Sequence, residues 1–581
     1  MSGSTNAIKV SDYLAEFLYN KEISHVFELS GGMITHILDS ILYKKKTKII
    51  SMHHEQAAAF AADAMGRLSN KPGVALATSG PGATNLLTGI GSCYFDSVPA
   101  LFITGQVNTH ELKMNRSIRQ LGFQETDIVT MARPITKAAY LVTDANEIPK
   151  VLEEAYQIAI SGRPGPVLID LPMNIQRAMI IPKLQIQPQK LSAKIDKSVF
   201  ENIVSLISGA KKPLILAGRG LRASQSEQYF QNMITSLQIP VCLSLLGLDV
   251  LAFDHPLRAG FFGSYGNRWT NQAIAESDLL FVLGARLDIR QTGADVQFFS
   301  NRKIIHVDCE KGELNNRVKT SLTINAELRD FLSEFCNYLR GNSISKTCPG
   351  WIHEISEKKH QFHDTKELTL QSQDFINPNV FMHAVSRANK TFSYSVDVGA
   401  HQMWAAQSLE LYDGQHFITS GGMGAMGYAL PAAIGGALAL NSGFVVVVGD
   451  GSLQLNIQEL QTIYRNNIPI KIIVINNQSL GMIKQFQDSY FESRYQSTVW
   501  GYSAPDFEKV ALAYGIQSKT ISKSNETEKG LAWLFSEDLR NSPGLLQVMI
   551  DPGTNIYPKI AFGRPLHQME PTYKPEEVES T

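Results

Sequence analysis

Short runs of apolar, often β-branched residues recur along the chain and alternate with stretches whose apolar positions repeat at helical spacing. Strands buried on both faces read as continuously apolar, so the runs predict parallel strands and the periodic stretches predict the helices covering them. From about residue 7 to 180 the predicted strands are 26–29, 74–77, 100–104 and 167–170, with helices over 12–19 and 56–67. A second alternation, from about 197 to 340, has strands at 213–217, 241–244, 279–283 and 303–307. The third, 375–551, centres on a strand at 444–448, a helix over 452–464 and a strand at 470–475, one βαβ unit. Polar passages at 181–193 and 341–373 separate the blocks, and a proline-bearing tail begins at 552. The pattern predicts an α/β protein of three doubly wound parallel-sheet domains, 1–190, 191–345 and 370–552, with a C-terminal arm at 553–581.

Composition narrows the class without altering this architecture. The 581 residues are 44% hydrophobic and 18% charged, and a net charge of −1 argues against nucleic acid or an anionic membrane held through bulk charge. Cys93, Cys242, Cys309, Cys336 and Cys348 are scattered without CxxC spacing, which predicts reduced thiols and neither a disulfide framework nor a zinc site. No apolar run approaches the ~20 residues of a membrane helix, and the first residues lack the apolar core of a signal peptide. The expectation is a cytoplasmic protein whose partners are small molecules.

Candidate chemistry gathers at strand ends, where open α/β sheets bind ligands. Gly449-Asp450-Gly451 follows one predicted strand and Asn476-Asn477 ends the next, so Asp450 and Asn477 are expected in one crevice. A carboxylate, an amide oxygen, a backbone carbonyl and water leave octahedral positions for phosphate oxygens, the usual way Mg²⁺ is held. The glycines let backbone amides approach a phosphate. In the first block, Glu55 opens a helix just after a strand at 49–51; alone, it only complements the helix dipole. Downstream, TSGPGATN at 78–85 is a turn of small residues against which a flat ring can lie.

The GDG and NN pair resembles the diphosphate–metal motif of thiamine diphosphate (ThDP) enzymes, and HEQAAAFAADAMGR with TSGPGATN resembles that family's pyrimidine-binding domain. The resemblance implies that Asp450, the Asn477 side chain and the Ser479 carbonyl hold Mg²⁺, with Gly449, Gly451, Ser452 and Met482 around the cofactor. It implies that Glu55 hydrogen-bonds ring nitrogen N1′ of the aminopyrimidine and so promotes the imino tautomer that deprotonates the thiazolium, with Ser79 and Gly80 nearby. Val398, Gly399 and His401 match the loop covering the diphosphate, while Ala400 stands where glutamine is more usual. Met426 falls where a bulky apolar side chain folds the cofactor, and Gly424 where a carbonyl accepts from its 4′-amine.

Block order and the run from GAHQMWAAQ to ITSGGMGAMGYALPAAIG resemble the acetolactate (acetohydroxyacid) synthases over nearly the whole chain. This implies FAD, without a redox part in the net reaction, in the middle domain, contacted by Arg163, Gly218, Gly263, Gly266, Asn271, Arg286, Asp288, Arg290, Asp308 and Asn325. Ile289 and Asn325 depart from the pattern, each replacing an acidic residue. Simple decarboxylases of the family carry an adjacent histidine pair after the small-residue turn; only His110 is found there, so ligation is expected. Arg290 matches the arginine that receives the acceptor carboxylate, Gln124 and Lys137 match substrate-channel residues, and Phe486 replaces a tryptophan tied to 2-oxobutyrate preference. The implied activity is decarboxylation of pyruvate, a keto acid, and transfer of its two-carbon unit to a keto acceptor, giving 2-acetolactate when that acceptor is a second pyruvate. Transfer to a nucleotide-linked ketosugar, as in the yersiniose-pathway acetyl transferases that also look like this family, and a flavin-dependent pyruvate oxidase are the alternatives. A cofactor clamped between the first and third domains implies a homodimer or homotetramer.

Overall fold

The computed structural model describes residues 7–182, 195–368, 372 and 374–576 and contains three six-stranded, wholly parallel sheets, each flanked by helices. In the first the spatial order is Lys48–Ser51, His25–Leu29, Gly73–Ala77, Ala100–Gln106, Pro166–Pro172 and Ala138–Leu141. The central sheet runs Arg258–Phe261, Val241–Leu243, Pro213–Ala217, Leu279–Leu283, Lys303–Asp308 and Leu322–Asn325. The third runs Phe417–Ile418, Ser393–Val396, Phe444–Gly449, Ile470–Asn476, Gly544–Met549 and Gln517–Ile521. Every residue of Phe444–Gly449 and Ile470–Asn476 is buried, as expected of strands covered on both faces. From residue 183 the predicted linker lies outside the described residues. No helix among the described residues is long and apolar enough to cross a membrane.

Register places the chemistry. Gly449 pairs with Ile475, and Val396 with Val447, so Asp450, Asn477 and the Val398-Gly399 turn all leave the same edge of the third sheet. In the first sheet Leu29, Ala77 and Thr104 are in register, which puts the 78–85 turn at the corresponding edge.

Two features differ from the pattern-based expectation. The helix expected over 452–464 is two, Asp450–Leu455 and Glu459–Arg465, because the Asn456 amide donates to the Gly427 carbonyl (2.8 Å) and to Gln56 Oε1 (3.2 Å). Leu455, counted with the apolar face, is consequently 52% exposed. The C-terminal arm is not free: its hairpin, Lys559–Ile560 with Met569–Glu570, folds onto the central domain. There Arg268 donates to the carbonyls of Met569 (3.1 Å) and Glu570 (2.8 Å), and Leu566 is buried in the central core.

The first and third domains meet through small residues. The alanine-rich helix Glu55–Ser69 lies against Ala429–Leu440, and a Cβ on Gly435 would sit 2.0 Å from the Ala61 carbonyl oxygen. Backbone cannot yield there as a flexible side chain can. Gly435→Ala should therefore cost about 1–3 kcal/mol in thermal or denaturant unfolding, whereas Gly350→Ala, whose Cβ would meet nothing within 4 Å, should be neutral or gain up to about 1 kcal/mol.

Candidate active site and nucleotide cleft

At the edge of the third sheet the strand Phe444–Gly449 hands over directly to the helix Asp450–Leu455. Asp450 is buried in this first turn, and its Oδ2 accepts from the Tyr502 hydroxyl (3.0 Å). Burial pushes its carboxyl up to about 6, against the hydrogen bonds from Tyr502 and from backbone amides that hold it down. A divalent cation would favour the ionised form. Asn477 Oδ1 accepts from the Ser479 amide (3.2 Å), which fixes the oxygen at the strand end. Ser452 Oγ donates to the Val398 carbonyl (3.0 Å), joining this turn to the neighbouring one.

Close packing explains the glycines here. A Cβ on Gly399 or Gly449 would lie 2.6 Å or 2.8 Å from the His401 ring, so a larger residue at either position would displace that ring. Burial pulls His401 down to about 3, which makes its ring neutral, and its Nε2 is buried without a hydrogen-bond partner among the described residues. Ser479 Oγ is orphaned in the same way. Buried polar atoms without partners are uncommon and point to a missing ligand. Met426 reaches the same loop, its Cε 3.5 Å from where a Gly451 Cβ would be. Gly424 turns with φ +66°, facing open space, and Met482 packs partly buried on the adjoining core.

The acid lies in the first domain. The His54 ring accepts from the Gln56 amide (3.0 Å) and caps the helix that Glu55 begins. Glu55 is buried, its Oε2 accepting from Asn85 Nδ2 (2.9 Å), and its Oε1 would stand 3.2 Å from a Cβ on Gly82. The missing side chain at Gly82 thus leaves Oε1 facing the small-residue turn. In that turn Ser79 Oγ is buried without a partner among the described residues, and Gly80 has φ +67°. Gln124, itself at φ +64°, packs 3.1 Å from the Gly80 Cβ position. The Lys137 ammonium donates to the carbonyls of Ile158 and Ser161 (2.6 Å) at the end of the helix Ile148–Ile160, and burial lowers it to about 8.

An open cleft lies where the three domains meet, lined among others by Arg163, Arg286, Asp288, Arg290 and Asp308. Arg163 is held by Ser97 Oγ (2.8 Å) and Glu313 (2.9 Å), and Arg286 by Asp288 (3.0 Å). The Arg290 guanidinium is exposed and without a hydrogen-bond or ion-pair partner among the described residues. Burial raises the Asp308 carboxyl. The other five expected contacts build the walls instead of lining the space. Gly218 abuts the Gly284 carbonyl, where a Cβ would come within 2.1 Å, and Gly263 (φ +121°) and Gly266 fold on one another. Asn271 accepts from the Gly263 amide (3.2 Å) and donates to its carbonyl (2.9 Å), while Asn325 donates to the carbonyls of Asp308 (3.0 Å) and Cys309 (2.9 Å). Cations, a ribose-type acid and an open cleft together suit a dinucleotide.

Sequence reasoning did not single out Tyr502 or Asn85. Asn85 closes the quoted TSGPGATN motif and was within reach, but the partnership of Tyr502 with Asp450 spans 52 positions and leaves no local signal.

Comparison with known proteins agrees with this geometry. Residues 8–131 match the model for the thiamine pyrophosphate enzyme N-terminal TPP binding domain, 200–335 its central domain, and 397–548 its C-terminal TPP binding domain. Thiamine pyrophosphate is another name for ThDP. The acetolactate synthase large subunit of Cyanidium caldarium is 34% identical over 577 residues, covering 96% of this chain and 95% of the relative. That of Lactococcus lactis subsp. lactis is 35% identical over 566 residues, with 96% and 95% covered. The chloroplastic acetolactate synthase 1 of Nicotiana tabacum is 35% identical over 574 residues, covering 96% of this chain and 84% of its own. On these matches the chain belongs to the thiamine pyrophosphate enzyme family, in its acetolactate synthase-like branch.

Proposed function

We propose that this enzyme is a ThDP-dependent carboligase that decarboxylates pyruvate and transfers the two-carbon unit to a keto acceptor, a second pyruvate giving 2-acetolactate. The observation that carries this reading is the pairing of a buried acid, Glu55, facing a turn with an orphaned hydroxyl, and a buried Asp450–Asn477 edge, on a chain similar end to end to acetolactate synthases. Bound ThDP supplies a nucleophilic carbon and an electron sink for decarboxylating a 2-keto acid. Glu55 would hold a proton at the cofactor's ring nitrogen, while Asn85 fixes its Oε2. Asp450, Asn477 and the Ser479 carbonyl would hold Mg²⁺, which would supply positive charge for the cofactor's diphosphate. Met426, set against Gly451, supports the folded cofactor.

The arginines of the three-domain cleft support bound FAD, and the unpaired Arg290 suits an acceptor carboxylate through a bidentate fork. Phe123, beside Gln124, is 80% exposed, and Ile118 and Leu121 are exposed too. Such an apolar patch next to an active-site turn supports a second copy covering it, hence a homodimer or a pair of dimers. The five free cysteines fit a reducing, cytoplasmic setting.

One observation favours a larger acceptor. Phe486 is 50% exposed in an open aromatic group with Tyr490 (ring centroids 4.7 Å) and Phe491 (5.8 Å), and Phe562 of the C-terminal hairpin lies 6.1 Å from Tyr490. Flat faces of this kind suit a sugar or nucleobase, as in transfer to a nucleotide-linked ketosugar.

Mass analysis of the product formed from pyruvate alone should find acetolactate as the main species. Acetoin or little product, rising on addition of a nucleotide-linked ketosugar, would move the assignment to the larger acceptor, and oxygen uptake with flavin bleaching would reverse it in favour of an oxidase. The proton on Asp450 competes with the metal. Because its carboxyl titrates at about 6, Mg²⁺-dependent ThDP affinity should be flat above that pH and fall about tenfold per unit below it, as read by calorimetric titration.

A further inference from the structure

Apart from the acid and the metal edge, a buried ion cluster ties all three domains together. Arg67, on the helix that Glu55 begins, donates from Nη2 to Asp96 Oδ2 (2.7 Å) and Asp63 Oδ2 (3.2 Å), and from Nε to the other oxygen of Asp63. The Tyr428 hydroxyl donates to Asp63 Oδ1 (2.8 Å). Asp96 accepts from the backbone amides of Gly421 (3.0 Å) and Gly422 (2.7 Å), while its own carbonyl accepts from Arg219 Nε (2.7 Å). Asp63, Arg67, Asp96 and Tyr428 are all buried. Removing such charges from water costs several kcal/mol per ion, and buried pairs are often no better for stability than apolar residues of the same volume. Their value lies in what they hold.

They hold both ends of one loop. Asp96 grips its start at Gly421 and Gly422, and Asp63 its end at Tyr428. Between the anchors Gly422 and Met423 are exposed, Gly424 turns through a positive φ, and Met426 reaches the diphosphate loop. Asp96, Arg219 and Gly421 also line the three-domain cleft. Cleft wall and loop anchor are thus the same residue. Burial and the nearby Arg67 draw the Arg219 guanidinium down to about 10, which leaves it a cation at neutral pH, suited to an anionic ligand.

We propose that Asp96 is a positioning residue that couples the two ligand sites: a flavin nucleotide in the cleft immobilises Arg219 and the Asp96 wall, and so presets the 421–428 loop for ThDP. This rests on the reading of the cleft as a flavin site. Coupling of this kind is reciprocal, and typical values are about 5–150-fold in affinity.

The test compares ThDP dissociation constants, read by tryptophan fluorescence at fixed Mg²⁺, in FAD-loaded and FAD-stripped full-length protein. Wild type should bind ThDP about tenfold more tightly when FAD is present, within that usual range, and ThDP should tighten FAD by the same factor. In Asp96→Asn the ratio should fall to about one while FAD alone still binds, a result that general weakening of the fold would not give. Arg219→Lys, which leaves the Arg67–Asp63 pair intact, should lose the coupling too and decides the matter if the first variant does not fold. Wild-type protein that binds both ligands with a ratio near one, or variants that keep the wild-type ratio, would overturn the proposal. Wild type that fails to take up FAD at all would overturn the cleft reading itself, and the coupling with it.

Discussion

The contact on which the rest depends is the close crossing of two helices rich in alanine and glycine, Glu55–Ser69 and Ala429–Leu440. At Gly435 not even a methyl fits, because its Cβ would sit 2.0 Å from the Ala61 carbonyl oxygen. The crossing joins the domain that carries Glu55 to the domain that carries Asp450 and Asn477. Around it the polar groups are paired across the interface: Gln56 with Asn456, Asp63 with Tyr428, and the His53 amide with Glu459 (2.9 Å). A rigid frame of this sort holds the buried Glu55 and the Asp450–Asn477 strand ends on packed elements and not on flexible ones.

Within this frame, function comes from groups left incomplete. His401 Nε2, Ser79 Oγ and Ser479 Oγ are buried without partners among the described residues, although most neighbouring polar groups are satisfied. Asp450 is raised towards neutrality by burial, a state that binding of a cation would relieve. These are signatures of a site built for a charged ligand, and they sit at the strand ends where the parallel topology gathers loops.

Much of this was legible in the sequence because its causes are local. Uninterrupted Val and Ile runs identified the strands around 444–449 and 470–476, and strand register then made neighbours of Asp450 and Asn477. Glu55 stood out only because a turn of small residues follows it; by itself it would pass for an ordinary helix-start glutamate. Where the cause is tertiary, the pattern misleads. The helix break at Asn456 answers a carbonyl 29 positions away, at Gly427. The docking of the C-terminal hairpin depends on Arg268, some 300 positions earlier in the chain. The Lys137 ammonium answers two carbonyls at a helix end, partners that its own segment does not announce.

The measurement that bears most directly on the joint action of Glu55 and the metal edge is hydrogen–deuterium exchange at the C2 position of enzyme-bound ThDP, by acid quench and NMR. The account predicts that Glu55→Gln binds ThDP and Mg²⁺ as tightly as wild type but exchanges C2 about 10²–10⁴-fold more slowly, the usual loss when one acid–base group is removed. Exchange at the wild-type rate in that variant would contradict it.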